Sequence, residues 1–330
     1  MRLDEPWTLG GLPVPNRVVL APLAGIGNWF VRLQARRHGA GLVVSEMISS
    51  HAIHYRNERT LSELLYIDPR EREAGPTPSG PIAIQLFGHD PDVMRSAAAS
   101  VAEAGADLID LNMGCPVPKV MKTGAGAALP RDPARAVAIA RAAREGSGLP
   151  VTVKLRAEGV EAARALVADG GVAGITFHPR DVKVRHKGTP DYDLAAALVA
   201  ELDPVPVIVS GGMAGAEHIR WVFERTGCAA VMLARGALGN PWLFEEVLGT
   251  RDVPPTADVI VAEWLWVLDR AVEHLGPERA ASYLKKFHPW YVERLGATKE
   301  TQNALQTAGS VDEQRTVIEA LAPVLSSPAA

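Results

Sequence analysis

The chain has 330 residues, 34 lysines and arginines against 38 acidic residues for a formal net charge of −4, and 47% hydrophobic residues. That size and make-up suffice for one large domain plus a smaller one with a full core, and they exclude a disordered or low-complexity protein. The charge gives no global argument for a nucleic-acid partner, so any RNA contact has to use a local basic surface. No apolar run approaches the roughly 20 residues that span a bilayer, no basic stretch leads into an apolar core at the start, and a cytoplasmic protein is expected.

In chain order, Val18–Leu20 is a short apolar strand ended by Ala21-Pro22-Leu23-Ala24-Gly25, with a helix over 29–38. Strands follow at 42–47, at 82–86 after a loop-like segment around 75–80, and at 108–111, where a helix beginning near Pro91 returns the chain. The alternation continues with a helix over 133–145, a strand over 151–155, a helix over 160–168 and the strand Gly174–His178. A strand at 205–210 precedes a helix over 216–225, and a strand at 230–235 precedes a helix opened by Asn240-Pro241. Eight near-continuous apolar strands interleaved with helices predict a parallel sheet closed into a (β/α)₈ TIM barrel, an α/β fold, over residues 1–250. Beyond the paired prolines Pro254-Pro255 the pattern turns helical, at 259–275, 280–295 and 311–325, which predicts an all-helical C-terminal domain over 256–330.

Period 2 along the strands places Gln85 on a face with Ala83, Asn112 with Asp110, Lys154 with Thr152, and His178 with Thr176. Each lies late in its strand, toward the C-terminal mouth where barrel enzymes keep their chemistry. Taken singly, Gln85 or His178 is as readily a satisfied core polar group, and Asp110 reads as structural. Lys154 is harder to dismiss, because an unpaired charge inside a barrel costs several kcal/mol. Cys115, between Gly114 and Pro116 at a strand end, is expected to face the mouth. Cys228 precedes its strand at the opposite end, so no disulfide is expected; the spacing fits no zinc site, and no metal is expected. Gly211-Gly212 after the seventh strand, with Arg235 at the end of the eighth, mark the usual phosphate position of this fold.

With these residues in hand, the chain resembles the tRNA-dihydrouridine synthases, more closely their bacterial B-type members, across nearly its full length. The most specific match is Leu111-Asn112-Met113-Gly114-Cys115-Pro116-Val117-Pro118-Lys119-Val120. Supporting it are Ala21-Pro22-Leu23-Ala24-Gly25, Val44-Ser45-Glu46-Met47, Gln85-Leu86-Phe87-Gly88, Val153-Lys154-Leu155-Arg156, Ala234-Arg235-Gly236-Ala237, Asn240-Pro241-Trp242 and the stretch from Lys285 to Tyr291. The resemblance implies an FMN enzyme that reduces one uridine of tRNA to dihydrouridine and recharges its flavin with NADPH. By position, Pro22, Leu23 and Ala24 would lie against the flavin, and Gln85 and Lys154 would hydrogen-bond its ring edge. His178, Ser210, Gly211, Gly212, Ala234 and Arg235 would also serve the cofactor, mainly its phosphate end. Cys115 would be the general acid, giving a proton to uracil C5 opposite a hydride delivered to C6; a free thiol is mostly protonated at neutral pH, as that role requires. Two departures touch the cofactor loops: His178-Pro179-Arg180 where many relatives have His-Gly-Arg, and Ser210-Gly211-Gly212 where B-type enzymes tend to have Asn-Gly-Asp.

Asn112 and Arg156 are candidates for holding the uracil. For RNA, the basic segment 180–187 with Arg180 and Arg185 follows the sixth strand onto the same mouth, and Lys285 and Lys286 stand beside Trp290 and Tyr291. The runner-up is an FMN barrel acting on a free pyrimidine or small enone. A Schiff-base aldolase using Lys154 leaves Cys115 unexplained, and an RNA-binding protein on an inactive barrel is opposed by the intact Cys115, Lys154 and Arg235.

Overall fold

The chain opens with an element that its hydrophobic pattern does not announce. In the computed structural model, which describes residues 1–75, 79–184 and 187–321, β1 (Trp7–Leu9) and β2 (Leu12–Val14) pair as an antiparallel hairpin. The hairpin turns on Gly10 and Gly11, both at positive φ.

The eight strands anticipated from the sequence are β3 (Val18–Leu20), β4 (Leu42–Ser49), β5 (Ile82–Phe87), β6 (Leu108–Asn112), β7 (Val151–Arg156), β8 (Gly174–His178), β9 (Val207–Ser210) and β10 (Ala230–Leu233). Each pairs in parallel with its neighbours, and β10 joins both β9 and β3 to close the barrel. Helices connect them, several with polar caps: Asp90 accepts from the N–H groups of Asp92 and Val93 ahead of Pro91, and Asp132 from that of Arg135 ahead of Pro133.

The inward residues divide by height. Val19, Ala21, Leu42, Val44, Ala83, Leu108, Ile208, Ala230 and Met232 form an apolar cluster, and Leu9 and Val14 of the hairpin pack into it. The hairpin therefore seals the N-terminal end: a side chain on Gly10 would strike Pro150 and Ala173, and one on Gly174 would strike Leu9. Above the cluster the lining turns polar on β5 to β8. The register sets Gln85 beside Asp110 and Asp110 beside Thr152, then Asn112 beside Lys154 and Lys154 beside Thr176.

Several boundaries differ from expectation. β9 begins at Val207 because Pro206, just before it, has no N–H for a ladder. β10 ends at Leu233, and Arg235 sits in a short 3₁₀ turn, Arg235–Ala237. The helix expected over 160–168 runs Val160–Ala165 and widens into a π-turn, Leu166–Gly170. Tyr192–Glu201, after the basic segment, is a further helix.

The chain divides into two compact units, Met1–Arg235 and Gly236–Ala330, so that the helix Leu243–Leu248 belongs to the second unit, ahead of the paired prolines. Every regular element among the described residues of that unit is a helix. The expected helix over 280–295 is two, Pro277–Leu284 and His288–Leu295, since Pro289 lacks an N–H and would crowd the carbonyl four residues earlier. Lys299–Thr307 is an additional helix, and the last described one is Val311–Glu319. Its core holds Trp264, Leu268, Leu284 and Ile318, with Trp264 stacked on Tyr291 at 5.2 Å. Among the described residues no helix is long and apolar enough to cross a membrane.

Candidate active site

Asn112 ends β6 and faces the mouth. Its side-chain oxygen accepts from the backbone N–H of Cys115 at 2.9 Å and of Gly114 at 3.3 Å, so it caps the turn that presents the thiol. From β7, Arg156 donates through Nε to the Gly114 carbonyl at 3.0 Å. From below, Gly126, at a φ of 60°, lets the chain pass so close to the Cys115 carbonyl that a Cβ would stand 2.7 Å from that oxygen. Cys115 itself is half-buried and free, whereas Cys228 is wholly buried and burial pushes its thiol up to about 11. Asn112 and Arg156, read as uracil contacts, thus have established work in holding this loop.

Lys154 neighbours Asn112 across the β6–β7 ladder. Its ammonium makes no hydrogen bond or ion pair with a described residue, and burial lowers it to about 8 against the opposing pull of Asp110. Asp110, 1% exposed, accepts from Gln85 Nε2 at 2.6 Å and from Thr152 Oγ1 at 2.7 Å; burial raises its carboxyl to about 6. Gln85 is wholly buried, and its Oε1 accepts from Asn112 Nδ2 at 2.9 Å. Gln85, Asp110, Asn112, Thr152 and the turn of Cys115 are therefore one connected polar group, with Lys154 above it.

The loop after β3 carries Pro22, Leu23 and Ala24, with Leu23 buried and Ala24 exposed. Its shape is set by Glu46, whose carboxylate accepts from the Gly25 N–H at 2.6 Å from a bulged stretch of β4. Sequence reasoning matched Glu46 only as part of a motif. Its signal was an acid within an otherwise apolar strand.

At the ends of β8 to β10 lies a second group. Gly211 and Gly212 have φ of 102° and 77°, and a Cβ on Gly211 would meet the His178 ring at 2.6 Å. The Tyr192 hydroxyl donates to the Gly211 carbonyl at 2.9 Å and meets His218 Nε2 at 3.1 Å. The Ser210 hydroxyl is buried without a hydrogen-bond partner among the described residues. Arg180, a candidate RNA contact, is half-buried: it donates to the Gly188 carbonyl and lies 3.3 Å from His178 Nε2. Arg235, exposed beside half-buried Ala234, forms no hydrogen bond or ion pair among the described residues and is close enough to depress the Arg180 guanidinium, although burial dominates that shift. Two arginines and two positive-φ glycines so mark one end of the mouth.

Lys285 and Lys286 belong to the helical unit, Lys286 exposed with its ammonium 4.7 Å from the Tyr283 ring. Tyr291, beside them in sequence, is 1% exposed and packed in the core. Arg185 lies outside the described residues.

A family profile described as Dihydrouridine synthase (Dus) matches residues 19–325. The chain belongs to this enzyme family. It is 31% identical over 318 residues to the tRNA-dihydrouridine synthase B of Pseudomonas aeruginosa, covering 93% of this chain and 92% of that one. To the protein of the same name from Vibrio parahaemolyticus it is 33% identical over 319 residues, covering 91% and 94%. To a probable tRNA-dihydrouridine synthase of Mycobacterium tuberculosis it is 32% identical over 340 residues, covering 95% and 84%. Among solved structures, a morphinone reductase mutant in complex with tetrahydroNAD superposes with a TM-score of 0.53 at 16% identity, over 79% of this chain and 94% of that one. A 2-naphthoyl-CoA reductase gives 0.59 at 14% identity, over 78% and 53%. At these identities the likeness speaks for the barrel fold of this dihydrouridine synthase family member.

Proposed function

We propose that the chain reduces a specific uridine of tRNA to 5,6-dihydrouridine with FMN as its cofactor and NADPH as the reductant that recharges it. The observation that carries this reading is the convergence on one mouth of a fastened thiol, Cys115, and an ammonium with no hydrogen-bond or ion-pair partner among the described residues, Lys154. Family membership and the B-type relatives support it.

The residues present fit FMN. Lys154 offers a cation unpaired among the described residues for the electron-rich edge of a flavin ring, and the Ser210 hydroxyl is a buried group likewise without a hydrogen-bond partner among them. Gly211 and Gly212, both at positive φ, turn the chain near Arg180, and the paired cations of Arg180 and Arg235 suit a phosphate. Pro22, Leu23 and Ala24 would flank the ring, and Gln85, His178 and Ala234 would line the site around it. Reduced FMN, when bound, supplies the hydride that goes to uracil C6.

The protein supplies the rest. Cys115 Sγ gives its proton to C5, and the turn fixed by Asn112 and Arg156 holds that sulfur toward the mouth. Lys154 keeps positive charge where negative charge gathers. The target uridine has to leave its stack to enter, and the barrel mouth must exclude water around it. We assign cofactor and chemistry to the barrel, and tRNA contact to the helical unit through Lys285 and Lys286, with Arg185 contributing from the segment after β8.

Mapping dihydrouridine position by position in tRNA from cells lacking this chain, with add-back of wild type and Cys115→Ala, tests the reading. Loss at one position, restored by wild type and not by Cys115→Ala, is the expected result. An unchanged map in cells without another synthase would sink it in favour of a flavin enzyme for a free pyrimidine or small enone.

A further inference from the structure

We propose that Asp110 is a positioning residue for the Cys115 turn: as the acceptor-only end of a buried amide chain, it dictates which way the Gln85 and Asn112 side chains point. The proposal rests on the role given above to Cys115 for its effect on turnover, and on geometry alone for its effect on the turn.

The chain of bonds has one direction. The Asp110 carboxylate takes the amide NH₂ of Gln85, the Gln85 carbonyl takes the amide NH₂ of Asn112, and the Asn112 carbonyl takes the N–H of Cys115. An ionised carboxylate cannot donate, so Gln85 cannot turn its oxygen toward Asp110 without setting two acceptors face to face. The constraint then passes on. With the Gln85 oxygen toward Asn112, the Asn112 NH₂ must meet it, which leaves the Asn112 oxygen for the turn.

Reversing Gln85 would set its oxygen against the carboxylate and its NH₂ against that of Asn112, and reversing Asn112 would point an NH₂ group at the N–H of Cys115. Thr152 adds a second donor to the same carboxylate at 2.7 Å and leaves the direction unchanged. Asp110 touches neither the thiol nor the turn. It acts through two other side chains.

Burial raises the Asp110 carboxyl to about 6, so between the usual carboxylate range and that pH the fold loses stability as pH rises. At pH 8 an uncharged replacement is therefore not expected to lower the melting temperature, which separates positioning from simple support of the fold.

Wild type, Asp110→Asn, Gln85→Leu and the exchange Gln85→Glu/Asp110→Asn are compared as purified, with bound flavin quantified in each. Iodoacetamide reads Cys115 in the native protein, since Cys228 is wholly buried. Asparagine at 110 can donate or accept, and leucine at 85 breaks the chain at another link. Both should free the turn and alkylate about fivefold faster, the scale of one lost hydrogen bond. The exchange again places an acceptor-only group before Asn112, and should return the wild-type rate.

In Asp110→Asn, turnover on tRNA should fall in kcat with KM unchanged. Wild-type alkylation in Asp110→Asn, or in Gln85→Leu if the former does not fold, overturns the proposal, as does an exchange variant as fast as Asp110→Asn. Should the alkylation pattern hold while no dihydrouridine depends on the chain, the proposed function fails and the positioning stands.

Discussion

Lys154 shows how one residue can be unfavourable for the fold and useful to the site. Its folded pKa of about 8 lies below the 10.5 of a free lysine, so the charged form is disfavoured by folding, and stability rises as pH climbs through that window. Lys154→Met keeps the volume and removes the charge. We expect its melting temperature at pH 7 to equal or exceed that of wild type by calorimetry, while turnover falls by about a hundredfold or more. In wild type without flavin, a group titrating near pH 8 should disappear in this variant, as read by a pH series of lysine modification.

At the scale of elements, the hairpin β1–β2 and the two helices around His288 each do more than their length suggests. Leu9 is wholly buried under the barrel, so Leu9→Ala should lose about 3 kcal/mol in denaturant unfolding without changing the residues at the opposite mouth. In the helical unit, His288 is wholly buried, and its Nδ1 accepts from Trp264 Nε1 at 3.2 Å. Burial, aided by the charge of Lys285 and opposed by Gln314, lowers it from 6.5 to about 4. The unfolded chain then takes up the proton first as pH falls. Stability of this unit should be complete above about pH 6.5 and decline toward pH 4, a slope that His288→Phe removes in denaturant titrations monitored by tryptophan fluorescence.

For the whole molecule, a net charge of −4 means that RNA affinity must come from local cations. Lys285→Glu/Lys286→Glu should weaken tRNA binding roughly tenfold and flatten its salt dependence, measured by filter binding at several salt concentrations, with flavin content unchanged. Equal binding across the series would move the RNA surface elsewhere.

The barrel was legible because parallel strands buried on both faces read as apolar runs, and because late polar residues such as Gln85 and Lys154 break those runs. The hairpin was not, since Thr8 and Pro13 interrupt its strands, whereas the equally short β3 is an unbroken apolar run. The break at Pro289 was visible in principle but yielded to the apolar spacing around it. The sequence by itself determined the order of the eight strands, the turn that carries Cys115 and the family signature, all of which depend on contiguous residues and local backbone preference. Only the tertiary structure decided that Asp110 is the fixed end of the amide chain, that Arg180 folds back toward His178, and that Tyr291 is core. Those depend on which side chains meet across strands and helices far apart in the chain, where hydrogen-bond direction and burial are settled by partners that no local pattern specifies.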